Sequence, residues 1–356
     1  MTQDSPDHGG QKVMSPDELK PMTEAARRVL GAMDEVLLGQ EALHKMVLVG
    51  ILSRGHMLLE GMPGLGKTTL IQALGDLLRL DFRRVQFTPD LMPSDIVGST
   101  ILQQGEGGDR RMEFRPGPVF TNILLADEIN RASPKTQSAL LEAMQERRVT
   151  TLGETRPLPA PFFVLASQNP VELEGTYPLP EAQLDRFLFK LQVGLPQEAT
   201  LERIIATRRR GEPPRLEPVA DAQQIDAMLN SIERIVLPSA VSKYIARLVN
   251  ATHPTSAAAP EPVRRFVKHG ASPRAAIGIA EAARAHALLA GRPTAGFEDV
   301  RAVAPHVLNH RIILNHDAGF ERVDAFDVVA QLIEDIDPVR LDLPSGVRLE
   351  SEEAAR

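Results

Sequence analysis

The chain of 356 residues has no cysteine and no tryptophan. Without thiols, disulfides, thiolate zinc sites, iron–sulfur clusters and cysteine nucleophiles are all excluded. Aromatic residues make up only 4%, so a core must be assembled from Leu, Val, Ile, Ala and Met. No apolar run approaches the ~20 residues of a membrane helix. The opening MTQDSPDHGG lacks the basic and apolar segments of a secretory signal, which makes the cytoplasm the expected compartment. Positive charge is not in excess either: the net charge is −7. Broad non-specific nucleic-acid binding depends on positive surface, so nucleic acid is not an expected partner.

What remains is the profile of a soluble globular protein, 43% hydrophobic and 24% charged, with length for about two domains. Residues 1–20 read as a loose tail. A helical pattern follows near Met22–Leu37. From His56 onward, short apolar runs alternate with helical patterns. HMLLEG (56–61), FRRVQFT (82–88), NILLADE (122–128), FFVLASQN (162–169) and FLFKLQVG (187–194) read as strands. TTLIQALGDLLRL (68–80) reads as a helix. So does SPKTQSALLEAMQERRV (133–149), with Ser133 as N-cap and Pro134 at the first position. Strands separated by helices predict an α/β fold, a parallel sheet covered on both faces. After about Pro196 extended runs give way to Ala-rich helical patterns. The expected division is a nucleotide-binding core over 21–196, a smaller all-helical lid over 197–343, and a polar tail over 344–356.

GMPGLGKT, Gly61 to Thr68, fits G-x-x-x-x-G-K-[ST] between a predicted strand and a predicted helix. Glycines let backbone N–H groups turn toward phosphate oxygens, and the helix N-terminus adds partial positive charge. The candidate nucleotide contacts are Gly61, Met62, Pro63, Gly64, Leu65, Gly66, Lys67, Thr68 and Thr69. Lys67 can reach the β- and γ-phosphates, and Thr68 can hold Mg²⁺. NILLADE carries Asp127 and Glu128 to the carboxyl end of a buried strand, the edge that faces the ligand crevice in open α/β sheets. There Asp127 would be a second Mg²⁺ ligand and Glu128 a general base for water. Asn169 ends the next strand, where an amide can bridge that water and the γ-phosphate, or simply begin a turn.

These motifs resemble those of AAA+ ATPases and, within them, the MoxR family. The resemblance is carried by VLLGQE (36–41), LMPSDIVGS (91–99), RPGPVFTNILLADEINRASPKTQSALLEAMQER (115–147) and SQNPVELEGTYPLPEAQLDRF (167–187). It implies Walker A at 61–68, Walker B at Asp127 and Glu128, sensor 1 at Asn169, an arginine finger at Arg186 and sensor 2 at Arg274. It also implies an insert in the second helix over about 89–118 and a hairpin before sensor 1 over about 148–161. The family further implies ATP and Mg²⁺ as ligands, a ring of six copies, and a separate partner with a von Willebrand factor A domain. Its members act on client protein complexes, and the client here is unknown. HGASPRAA puts Arg274 in the first turn of a helix, where an anion such as phosphate would offset the helix dipole. An acidic side chain would do the same.

Two classes compete with a remodelling ATPase. A DNA-associated motor would need DNA-binding modules, often with thiolate zinc, and the chain has neither cysteines nor spare length. A non-hydrolysing scaffold would lack Glu128, Asn169 or Arg186, and all three are present. His306 and His310 stand at i, i+4, a spacing that suits a metal pair, though no third ligand is evident and structural roles are expected. Arg131, in EINRA, reads equally as a contact to a neighbouring subunit's nucleotide or as a support for its own loop.

Overall fold

The computed structural model describes residues 13–62, 64–104, 110–169, 175–207, 216–220 and 222–338. Pro63 of the glycine-rich loop and both expected tails, apart from residues 13–20, lie outside the described residues.

Residues 13–20 depart from the expected tail. Helix α1 runs Pro16–Val36 because its start is fully capped. Glu18 N–H donates to Ser15 Oγ while Ser15 N–H donates to Glu18 Oε2 at 2.8 Å. This cap precedes Pro21, which the helix accommodates inside. α2 (Glu41–Leu52) leads into β1 (Met57–Glu60), and α3 (Lys67–Leu78) follows the loop. Then come β2 (Phe82–Gln86), α4 (Pro93–Val97), β3 (Gly98–Gln104), β4 (Arg110–Pro116) and β5 (Ile123–Asp127). A 3₁₀ turn at Ile129–Arg131 precedes α5 (Pro134–Glu146), which Ser133 caps as expected. β6 (Arg148–Thr151), β7 (Glu154–Pro157), β8 (Phe163–Gln168), α6 (Glu181–Leu184) and β9 (Phe189–Gln192) complete the core.

Five of these strands form one parallel sheet in the order β2-β5-β8-β1-β9. Alternation along β5 explains its two buried faces. Ile123 and Leu125 join a cluster with α1, α2 and α3, whereas Leu124 and Ala126 face α5 through Leu140, Leu141 and Met144. β3 and β4 form an antiparallel hairpin after α4, and β6 and β7 a second one whose tight turn has positive φ at Leu152 and Gly153.

Among the described residues beyond 193 the regular elements are helices apart from one small ladder and a lone bridge between Val236 and Thr294. The elements are α7 (Glu198–Thr207), α8 (Ala222–Ile232), α9 (Ser239–Ala251), α10 (Glu261–Phe266), β10 (Val267–His269), α11 (Pro273–Leu289), α12 (Phe297–Leu308), β11 (Ile313–Leu314), α13 (His316–Glu321) and α14 (Ala325–Asp335). β10 and β11 pair antiparallel. Residues of α8, α9, α11, α12 and α14 share one apolar cluster with α1–α3 and with one face of the sheet. Among the described residues no helix is long and apolar enough to cross a membrane.

Candidate nucleotide site

Three loops meet at the carboxyl edge of the sheet. The loop after β1 turns through left-handed Gly64 and Gly66, both at φ +83°. The positive φ at Gly66 favours glycine, since an L side chain is strained there. Lys67 opens α3 with its side chain buried, and its Nζ donates to Gly61 O at 2.6 Å. Burial holds the Lys67 pKa below its ordinary value, opposed by Asp127, Glu128 and Glu60. Thr68 and Thr69 follow in the first turn, half-buried.

The β5 edge holds the two acids. Asp127 is 7% exposed and accepts from Ser167 Oγ at 2.5 Å and from Arg84 Nη2 at 2.7 Å and Nε at 3.2 Å. Glu128 accepts from Gln86 Nε2 at 2.8 Å and Arg131 Nη1 at 3.0 Å. Arg131 thus supports its own loop in this chain. Glu128 itself sits in the left-handed region, at φ 56° and ψ 50°, with its N–H bonded to Ser167 Oγ at 3.0 Å. A non-glycine residue held there costs about 1–3 kcal/mol, strain of the kind that collects at functional sites. Asn169 is buried just past β8 at the same edge, its carbonyl near Asn130 Nδ2.

Beside the glycine-rich loop lies a cavity of about 380 Å³ with apolar walls from Val36, Leu37, Leu38, Leu65, Leu195 and Ile204. Its size and walls suit a planar base, with the loop placed to take the phosphates. A buried ammonium facing carboxylates, an apolar slot and a hydroxyl at Thr68 fit a nucleotide with its divalent cation. Thr68 and Asp127 are the residues placed to hold that cation, which would draw charge off the phosphate oxygens.

Arg186 and Arg274 lie elsewhere. β1 and β9 are parallel, and Leu188 N–H bonds to His56 O, just before β1. Arg186 therefore stands at the amino end of the sheet. The four residues of β1 separate it from the glycine-rich loop by at least ~13 Å along the strand. Arg186 donates from Nη1 to Leu141 O at 2.8 Å. Arg274 joins it there, its Nη1 2.9 Å from Asp185 Oδ2. The two arginines line one cavity of about 280 Å³ together with Arg54, Arg147, Arg311 and Glu281. Of the two anions that the sequence allows beside Arg274, this structure holds the acidic side chain. The anion that offsets its position in the first turn of α11 is Asp185.

The two histidines make the structural contacts expected of them. α12 ends at Leu308, so His310 leaves the helical face of His306. His306 packs edge-on between Phe189 and Phe326, and His310 Nε2 donates to Phe187 O at 3.0 Å. No group of three potential metal ligands occurs among the described residues.

Sequence patterns alone miss Arg84, Gln86, Ser167 and the apolar slot. The signal for the first two is parity. Arg84 and Gln86 share one face of β2, and Gln86 pairs with Asp127 in the ladder.

Comparison with known proteins agrees with this geometry. Residues 56–189 match the ATPase family associated with various cellular activities (AAA), and residues 262–332 match the AAA lid domain. The chain is 42% identical to YeaC of Bacillus subtilis over 304 residues, spanning 85% of this chain and 91% of that protein. It is also 42% identical to chaperone MoxR1 of Mycobacterium tuberculosis over 309 residues, 87% of this chain and 81% of that one. A crystal structure described as a candidate ATPase from Cytophaga hutchinsonii superposes with a TM-score of 0.81 at 38% identity. That match covers 90% of this chain and 97% of the other.

Proposed function

Since this chain belongs to the MoxR family of AAA+ ATPases, we propose that it hydrolyses ATP to assemble, mature or activate client protein complexes. The observation that carries this reading is the meeting of buried Lys67 with Asp127 and Glu128 at one sheet edge, beside an apolar slot. The glycine-rich loop and Lys67 bind the phosphates, and the slot takes the base. Thr68 and Asp127 would hold Mg²⁺, which would supply charge neutralisation to the phosphate oxygens. Glu128 polarises the attacking water as general base, held in aim by Gln86 and Arg131. Asn169 orients that water.

Arg186 completes the reading. It stands too far from its own phosphate loop to serve it, half-buried at the amino end of the sheet. In a ring, most simply of six copies, it projects onto the neighbour's γ-phosphate, where a guanidinium fork offsets the developing charge. Arg274 shares that position and acts toward the same neighbour. The two antiparallel hairpins carry the exposed apolar side chains Leu102, Met112 and Leu152, which suit contact with a client. A partner bearing a von Willebrand factor A domain is proposed from the family resemblance alone. That one relative is named a chaperone supports the remodelling role.

Glu128→Gln tests the site. The amide keeps the shape but is a far poorer base, so ATP affinity should persist while steady-state turnover falls by about 10²-fold or more. Turnover near the wild-type rate would remove Glu128 as the base.

A further inference from the structure

β9 is an edge strand, and the carbonyl groups at its start are satisfied by side chains rather than by another strand. Three consecutive lid residues supply the donors. Asn309 Nδ2 bonds Lys190 O at 3.0 Å, and His310 Nε2 bonds Phe187 O at 3.0 Å. Arg311 does most. Its side chain is 3% exposed. It donates to Asp185 Oδ1 at 2.8 Å, Asp185 O at 3.1 Å, Phe187 O at 2.6 Å, Leu188 O at 2.9 Å and Val307 O at 2.6 Å. The residues it grips, 185, 187 and 188, bracket Arg186 on both sides. The far oxygen of Asp185 takes Arg274 Nη1 at 2.9 Å.

We infer that Arg311 is a positioning residue for Arg186, fixing the backbone that aims its guanidinium at the neighbouring subunit and joining that backbone rigidly to the lid. Three features carry it. A buried guanidinium with several acceptors has one geometry, since its planar fork is pre-organised. Its acceptors are the backbone atoms that set where residue 186 points. And its partner Asp185 also holds Arg274, so both arginines rest on one buried cation. A lid displacement then carries Arg186 with it. This inference rests on the reading that Arg186 acts on the neighbour.

The test uses Arg311→Lys in the full chain, which keeps the charge and loses the fork. Asp185→Asn is the parallel variant if Arg311→Lys does not fold, judged by its thermal melt. A displacement of about 1 Å remote from the chemistry can cost ~10²-fold. The expected result is a kcat lower by about 10- to 100-fold, with KM for ATP changed by less than about twofold.

Mixed rings separate the roles. Arg186→Ala with Lys67→Ala should regain activity. If co-assembled subunits show no recovery, the neighbour-acting reading of Arg186 fails. Given that recovery, Arg311→Lys with Lys67→Ala should recover as well, because the Arg311 variant keeps a working phosphate site that meets an intact Arg186. Arg311→Lys with Arg186→Ala should stay inactive, since neither subunit supplies an aimed guanidinium. Hydrogen exchange of the 185–190 amides should rise in the Arg311 variant with no nucleotide present. The inference is overturned by a wild-type kcat in Arg311→Lys, by recovery in the last mixture, or by failure of the Lys67 mixture alone.

Discussion

Lys67 shows how one side chain is prepared for one ligand. Its ammonium is buried against Gly61 O with acids nearby, an arrangement that leaves a desolvated charge waiting for phosphate oxygens. Truncation to Ala removes that charge. ATP at 100-fold over its dissociation constant should stabilise the wild-type fold by about 2.7 kcal/mol through mass action. Lys67→Ala should lose most of that gain, as read by thermal shift with and without ATP. Equal shifts in both proteins would show that the phosphates bind elsewhere. At this scale the sequence was informative where chemistry has fixed spacing, as in Gly61–Thr68 and the Asp127–Glu128 pair. It was silent on Arg84 and Ser167, which lie 43 and 40 residues from Asp127 in the chain. Only strand order brings them to it. Arg274 shows the same limit. A cation in a first turn calls for an anion, and nothing local distinguishes a phosphate from Asp185.

Among the elements, the hairpin of β3 and β4 depends on its base. α4 ends at Gly98, whose φ is +94°. A Cβ there would lie 2.4 Å from Arg115 O and 2.6 Å from Gly117 N. Neither is a flexible atom. Gly98→Ala should therefore cost more than about 1 kcal/mol, because both the backbone conformation and the space oppose it. Chemical denaturation should show a lower midpoint, whereas an unchanged midpoint would mean the hairpin base adapts freely. Element types were legible from periodicity: all five sheet strands and α5 fall within the stretches that pattern predicts. Boundaries were less so. The pattern cannot see that Ser15 and Glu18 cap each other before Pro21, nor that α12 stops at Leu308, two residues short of His310.

For the whole molecule, buried His56 and His310 and half-buried His306 set a pH limit. His56 accepts from Val164 N–H at Nδ1 and donates from Nε2 to Met144 O, and burial lowers its pKa to about 4 from 6.5. Burial also holds His306 below its ordinary value and His310 well below it. A histidine with a lowered folded pKa binds its proton in the unfolded chain first. Its contribution is therefore complete above pH 6.5 and is lost as pH falls from there toward 4. For His56 this amounts to on the order of 3 kcal/mol. Stability measured by urea denaturation should be flat from pH 8 to 6.5 and decline between 6.5 and 5, a range in which unperturbed carboxylates remain charged. Stability that rises on acidification through that range would contradict the neutral state of these rings. The side-chain bonds that Asn309, His310 and Arg311 make to β9 have a further consequence, for solubility. An open strand edge offers a regular ladder to any stray strand and so seeds aggregation. Here the carbonyls at the start of that edge are taken by three donors of different length and angle, a pattern no incoming backbone can copy. An incoming strand therefore finds no free ladder at that end of the sheet.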